Sequence, residues 1–419
     1  MKIIDDIPGD KSVSHRAVII GSLVEGTSIF NGFLTSDDCL ATVSIFRELG
    51  VDIELNETTL VIKGQGVRGL TEPKTMLNVG NSGTGIRLIS GVLCGLPFKS
   101  VITGDASIQN RPMKRIIAPL TAMGATIESV GDLPPLTIYG QSNLTSDWHY
   151  DMPVASAQVK SSILLAAVSA GVRVSVKEPD ACRDHTERML RLFGADVISD
   201  NGTIQLVTPQ LHAIDNQIQI PGDISSALFF ICLALMINRP MVFKNIGLNP
   251  SRTACLDILR LMGATIEVKE HATAFEPMGD IVVRPCNQLK NIQIPPELVP
   301  NVIDELPILA LLATKATGKM VVREAKELRV KESDRISGIH RLMTALGGDV
   351  VEYEDGFDIQ GTLHVAKKCS FDAHFDHRLA MSALIAGKAF GVEIDVTGVG
   401  SISTSFPNFI SLLNGIDPI

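Results

Sequence analysis

The sequence predicts an α/β protein of two domains built from repeated units, and three observations carry that expectation. A phrase of helical apolar spacing, then glycine, then β-branched residues recurs six times along the 419 residues. A strand-like run precedes each copy. Midway along the chain, Pro221-Gly222-Asp223 repeats Pro8-Gly9-Asp10 and marks a boundary.

The six copies are FRELGVDI from Phe46, LTAMGATI from Leu120, LRLFGADV from Leu190, LRLMGATI from Leu259, LMTALGGDV from Leu342 and FISLLNGI from Phe409. Each begins with the spacing of a helix end and runs into a strand. The glycines at 50, 124, 194, 263, 347 and 415 are expected as left-handed C-caps, where a side chain would be strained. Upstream lie GTSIFNG, KSVITG, GVRVSVKEP, RPMVFKNIG, GKMVVREA and GVEIDVTG, whose alternation and β-branching favour strands. Second helices are expected to open at Ser36-Asp37-Asp38, Asn110-Arg111-Pro112 and Asn249-Pro250-Ser251. One repeat therefore reads helix, strand, helix, strand. Three repeats per domain give domains at residues 10–221 and 222–419, the second expected to include residues 1–9.

Composition narrows the function. A net charge of −9 argues against a nucleic-acid or anionic-membrane surface, so any anion site must be local. The seven cysteines are scattered and never form a C-x-x-C pair, which suggests neither disulfides nor a zinc knuckle and points to the cytoplasm. The start of the chain has no apolar targeting segment, and no apolar run approaches a membrane span. Many Gly, Ala, Leu, Ile and Val with few aromatics suit helices packed on sheets.

The unusual polar residues fall at helix starts. KSVSHR, NSGTGIR, ASAQVKS, IDELPI and FDHRLAM are expected to open first helices, and QNRPMKR, CRDHTER and VKESDR second ones. Helix N-termini offer unpaired N–H groups and a positive dipole end, so several of them directed at anions make a site that Lys and Arg then sharpen.

Together these motifs resemble the enolpyruvyl transferases, and specifically the EPSP synthases of the second class. The resemblance covers nearly the whole chain and rests on GDKSVSHR from Gly9, GNSGTGIR from Gly80, NRPM from Asn110, ASAQVKS from Ala155, RDHTERML from Arg183, IDELP from Ile303, LRVKESDR from Leu328 and FDHRLAM from Phe375. It implies two globular domains, each of three βαβαββ units (an inverse α/β barrel), with substrate residues contributed by both. It also implies transfer of an enolpyruvyl group from phosphoenolpyruvate to shikimate 3-phosphate without metal or organic cofactor, in a protein expected to be a monomer. By the same resemblance Lys11, Ser12, Arg16, Ser156, Gln158, Arg183, Asp304 and Lys331 hold shikimate 3-phosphate, while Lys11, Asn81, Gly83, Arg111, Gln158, Arg335 and Arg378 hold phosphoenolpyruvate. Asp304 handles the acceptor hydroxyl and Glu332 the methylene carbon, with Lys11, Lys331 and His377 beside them. Gly83 is Ala in family members that tolerate glyphosate, so its glycine implies sensitivity.

Two features depart from the family: only ten residues precede Lys11, and Thr404 stands where first-class enzymes have a lysine, so Thr404 is assigned no contact. Taken singly, several residues admit plainer roles. Asp304 could be a simple helix cap, Glu332 and Arg335 a surface ion pair, and His374 with His377 a metal pair lacking a third ligand. NSGTG alone is a weak phosphate loop. Two rival functions remain: a UDP-N-acetylglucosamine enolpyruvyl transferase, disfavoured because Ser12 follows Lys11 and the NRPMKR loop has no cysteine, and a non-catalytic phosphometabolite-binding protein, which needs neither Asp304 nor Glu332.

Overall fold

The computed structural model describes residues 1–140, 143–214, 216–286, 288–361 and 368–417. The chain forms two compact units, Gly9–Ile220 and a second made of Met1–Pro8 with Pro221–Ile419.

In the Gly9–Ile220 unit the repeat is regular. Among the described residues this unit has three four-stranded sheets, each with a short strand parallel to a second, which pairs antiparallel with the return arm of a hairpin. In the middle repeat Leu77–Asn78 runs parallel to Lys99–Thr103, which pairs with Leu133–Tyr139, which pairs with Thr126–Val130. Trp148–Asp151, Val174–Lys177, Thr203–Thr208 and Asp196–Asp200 repeat the pattern. The remaining sheet takes its short strand, Ile218–Gln219, from the far end of the unit and lays it parallel to Glu25–Asn31. The repeat is thus βαβαββ; the helix, strand, helix, strand reading of the residues omits the hairpin return and the short first strand.

The first helices of these repeats, Lys11–Leu23, Gly83–Cys94 and Ala157–Ala170, are buried along nearly their whole length. Small residues let them approach: a Cβ on Gly91 would lie 2.2 Å from the Ser162 carbonyl oxygen. Each buried Leu, Ile or Val on them contributes about 1.5–3 kcal/mol.

The second unit uses the same parts less evenly. Lys2–Ile4 runs parallel to Met241–Gly247, which pairs with Met278–Val283 and it in turn with Ile266–His271. Lys319–Val322, Gly356–Gln360 and Val350–Tyr353 form a three-stranded sheet whose first-strand position is supplied by bridges at Lys290 and Gln293. Lys368–Asp372 and Glu393–Thr397 pair parallel. The helices Ile224–Met236, Leu306–Ala313 and His377–Phe390 form its interior. Phe229 and Phe230 pack edge-on or tilted against Phe406 and Phe409, fixing the final helix, Phe409–Asn414.

The glycine caps divide. Those at 50, 124, 194, 263 and 347 have φ between +81° and +111°, as the phrase requires. Gly415 does not: its φ of −69° is right-handed, and its carbonyl accepts a bond from Lys2 Nζ at 2.7 Å, so this end stays helical. Asn110 also differs from expectation. It closes a one-turn helix, Ala106–Gln109, and the next helix starts only at Lys114.

Candidate active site

In the Gly9–Ile220 unit, capping sets the positions of the polar residues. Asp10 accepts from Val13 N at 2.9 Å and starts the helix Lys11–Leu23, so Lys11 lies in its first turn with Nζ 2.5 Å from Asp38 Oδ2. Ser82 accepts from Gly85 N at 2.9 Å and starts Gly83–Cys94. Ser156 accepts from Val159 N and starts Ala157–Ala170.

Around these starts the predicted residues join. Arg111, 8% exposed, donates through Nη2 to Asn81 Oδ1 and Ser107 Oγ, each at 3.0 Å. Asn81 donates in turn to Asp105 at 2.7 Å. Gln158 donates to Thr84 Oγ1 at 3.1 Å and accepts from Arg87 Nη1 at 2.7 Å. Arg87 also donates to the Gly83 carbonyl at 3.3 Å. A Cβ on Gly83 would lie 2.9 Å from Arg111 Nη1 and 3.2 Å from Arg87 Nη1, so this glycine sits where two guanidinium groups converge. Arg87 is not among the predicted residues, although it ends the motif GNSGTGIR.

Arg16 is placed differently from its neighbours. Only 2% exposed, it donates to Thr186 Oγ1 at 2.6 Å, Ser161 Oγ at 2.9 Å and the Ser12 carbonyl at 2.8 Å, which ties three helices together. Behind it the buried Lys160 ammonium lies 2.6 Å from Glu187 and 2.7 Å from Glu178. Burial opposes that charge, but the two carboxylates outweigh it and raise the lysine pKa. Arg183 lies two residues ahead of the helix His185–Leu192.

In the second unit one guanidinium organises the site. Arg335, 1% exposed, opens the helix Arg335–Ala345 and meets three carboxylates: Nε lies 2.8 Å from Asp376, Nη1 3.2 Å from Asp304 and Nη2 2.6 Å from Glu332. Burial works against its charge, and the carboxylates more than restore it, raising its pKa. The Glu332–Arg335 contact is therefore not a surface ion pair. Lys331 Nζ is 3.5 Å from the same Asp304 oxygen. Asp304 is not the helix cap either; Glu305 occupies that position before Leu306–Ala313.

Asp376 both holds Arg335 and caps His377–Phe390, accepting from Arg378 N at 2.9 Å. It thereby fixes buried His377 and the neighbouring Arg378, whose Nη1 donates to the Asp304 carbonyl at 2.7 Å and lies 3.8 Å from buried Glu305. Thr404 donates to the Ser401 carbonyl within its own short helix. Among the described residues, no group of three or more His, Cys, Asp or Glu side chains is arranged to hold a metal ion.

The two clusters differ chemically. The first presents cations and amides at helix starts, an arrangement that holds anions. The second sets two partly exposed carboxylates on adjacent nitrogens of one guanidinium, an arrangement that can hold and move protons.

Comparison with known proteins finds relatives along the whole chain. The sequence profile described as EPSP synthase (3-phosphoshikimate 1-carboxyvinyltransferase) matches residues 2–413. A protein of that enzyme name from Geotalea uraniireducens is 46% identical over 414 residues, covering 98% of this chain and 95% of its own. One from Bacillus subtilis is 43% identical over 413 residues, covering 97% and 95%. The solved EPSP synthase of Acinetobacter baumannii superposes with a TM-score of 0.85 at 42% identity, over 99% of this chain and 95% of that one. The enolpyruvyl transferase NikO of Streptomyces tendae shares the fold, with a TM-score of 0.76 at 14% identity over 99% and 94%.

Proposed function

Because the chain belongs to the EPSP synthase (3-phosphoshikimate 1-carboxyvinyltransferase) family, we propose that it transfers the enolpyruvyl group of phosphoenolpyruvate to the 5-hydroxyl of shikimate 3-phosphate, releasing phosphate in the shikimate pathway to aromatic amino acids. The observation that supports this most is the pair Asp304 and Glu332 on one buried guanidinium. The reaction needs a base for the hydroxyl and an acid for a carbon, and a pair held by a shared cation can take both parts.

Asp304 receives the proton of the 5-hydroxyl as its oxygen bonds to C2 of phosphoenolpyruvate. Glu332 gives a proton to C3, which makes a methyl group and completes a tetrahedral intermediate. Loss of a methyl proton to a carboxylate, with departure of phosphate from C2, restores the double bond. Lys331 and Lys11 offset charge as it develops, and His377 lies on the helix start beside Arg378.

On this reading Lys11, Asn81, Gly83, Arg111, Gln158, Arg335 and Arg378 hold phosphoenolpyruvate. Ser12, Ser156, Gln158, Arg183 and Lys331 hold shikimate 3-phosphate together with Lys11 and Asp304. Arg16 holds shikimate 3-phosphate with them, and its bonds to Thr186, Ser161 and the Ser12 carbonyl fix its guanidinium beside Ser12. The seven free thiols support a cytoplasmic setting, and among the described residues no helix is long and apolar enough to cross a membrane.

The test is direct. Purified protein given both substrates should release inorganic phosphate at a rate that depends on each. Phosphate appearing only when UDP-N-acetylglucosamine replaces shikimate 3-phosphate would overturn the assignment.

A further inference from the structure

His15, inside the motif KSVSHR, has no part in the chemistry above, yet it sits at the centre of the first cluster. It is fully buried in the helix Lys11–Leu23. Its Nδ1 lies 2.8 Å from Thr42 Oγ1 and its Nε2 3.2 Å from Ser82 Oγ. The direction of each bond follows from the neighbours. With the Thr42 hydroxyl proton given to the Asp38 carbonyl at 3.3 Å, Thr42 accepts from His15 and Nδ1 carries the hydrogen. Nε2 is then a bare acceptor, and Ser82 donates to it while accepting from Gly85 N at 2.9 Å. Every polar atom in this chain of bonds is satisfied only with a neutral ring. Packing holds it in place: a Cβ on Gly85 would lie 3.0 Å from Ser82 Oγ and 3.6 Å from Thr42 Oγ1.

We propose that His15 is a positioning residue of the phosphoenolpyruvate site, locking the start of the helix Gly83–Cys94 to the helix Asp37–Glu48 that holds Lys11 through Asp38. Ser82 stands between Asn81, which Arg111 contacts, and Gly83, whose carbonyl Arg87 contacts. A shift at Ser82 therefore displaces the partners of both arginines relative to Lys11. Burial first, then the nearby Lys11 and Arg16, depress the pKa of the ring, which keeps it in the neutral form that this bonding needs.

The inference rests on the proposed reaction, and the experiment separates the two. Phosphate release by the native protein reports the reaction. The effect of His15 is read from the constants of His15→Asn, Ser82→Ala and the double variant, and from calorimetric titration with phosphoenolpyruvate, which needs no turnover. Loss of one well-made bond should raise KM for phosphoenolpyruvate, and its dissociation constant, by about fivefold to twentyfold. Turnover number and KM for shikimate 3-phosphate should stay within about twofold, and the double variant should be no worse than the more affected single one. A role confined to stability would lower the melting temperature and the active fraction while leaving KM alone. An unchanged KM for phosphoenolpyruvate, or effects that multiply in the double variant, would overturn the proposal. If His15→Asn does not fold, Thr42→Val, which keeps the shape and removes the acceptor, should still raise that KM roughly twofold to fivefold; no rise overturns it equally.

Discussion

The two clusters are built from similar cations but set them against different partners. Near Gly83, Arg87 donates to a carbonyl and an amide, and Arg111 to an amide and a hydroxyl. These contacts orient the guanidinium groups through neutral oxygens, which suits them to a phosphate or carboxylate. Arg335 instead meets Asp376, Asp304 and Glu332, and Lys331 adds a second cation beside Asp304. The three nitrogens of Arg335 are oriented by acids rather than by neutral oxygens. On the proposed reading the arginines near Gly83 serve affinity alone, whereas Arg335 both faces phosphoenolpyruvate and orients the acids that move protons, and the partners set that difference.

The sharpest way to break this comparison is Glu332→Gln. The amide keeps the shape and can still face Arg335 Nη2, now 2.6 Å from the carboxylate, but it cannot relay a proton. Turnover should fall by about 10²–10⁴-fold. Calorimetry should show shikimate 3-phosphate still bound, because no anion-holding group is removed. Near-native turnover would mean that the second cluster is structural.

Gly83→Ala probes the other cluster and should act less strongly. Its backbone does not use the left-handed region, so alanine is tolerated locally. The new Cβ would press on the ends of Arg111 and Arg87, which are flexible enough to move. The family resemblance implies only that glycine here goes with glyphosate sensitivity; the structure adds displacement of the two cations that flank it. Glyphosate, slightly longer than phosphoenolpyruvate, should lose more. Its inhibition constant should rise by about tenfold or more, against a severalfold rise in KM. Equal factors for the two ligands would show that Gly83 does not separate them.

What is legible in the sequence follows the range of each signal. The strands Glu25–Asn31, Lys99–Thr103 and Met241–Gly247 can be read because alternation is local, and five of the six glycine caps because φ is. Return strands such as Leu133–Tyr139, with two prolines, give no such pattern. The carboxylates Asp304 and Glu332 emerge from motif order. Arg87, His15 and Lys160 all lie inside the same motifs and do not stand out, because what makes them matter is distant: Gln158 is 71 residues from Arg87, and Ser82 is 67 from His15. A histidine amid Val13, Ala17 and Val18 looks like filler until Thr42 and Ser82 are placed against it.

That placement leads to the smallest expected effect, a dependence of stability on pH carried by one ring. His15 is held below its ordinary pKa of 6.5 by burial first, then by Lys11 and Arg16, with Asp10 opposing them and Asp38 contributing its carbonyl from the adjoining helix. In the unfolded chain the ring titrates near its ordinary value. Below that pH the unfolded state takes up a proton that the folded state refuses, so stability falls as pH falls, by at most about 1.4 kcal/mol per pH unit. The loss continues to the depressed folded pKa and then levels; above the ordinary value the group adds no slope. Amide exchange in the helix Lys11–Leu23 can report this without assuming that both units unfold together. Between about pH 7.5 and 5.5, a window that spans the ordinary histidine value, the native protein should lose more protection there than His15→Asn, with the difference growing toward acid. Parallel profiles would mean that the ring accepts a proton inside the fold, and that Ser82 is not bound to a neutral His15.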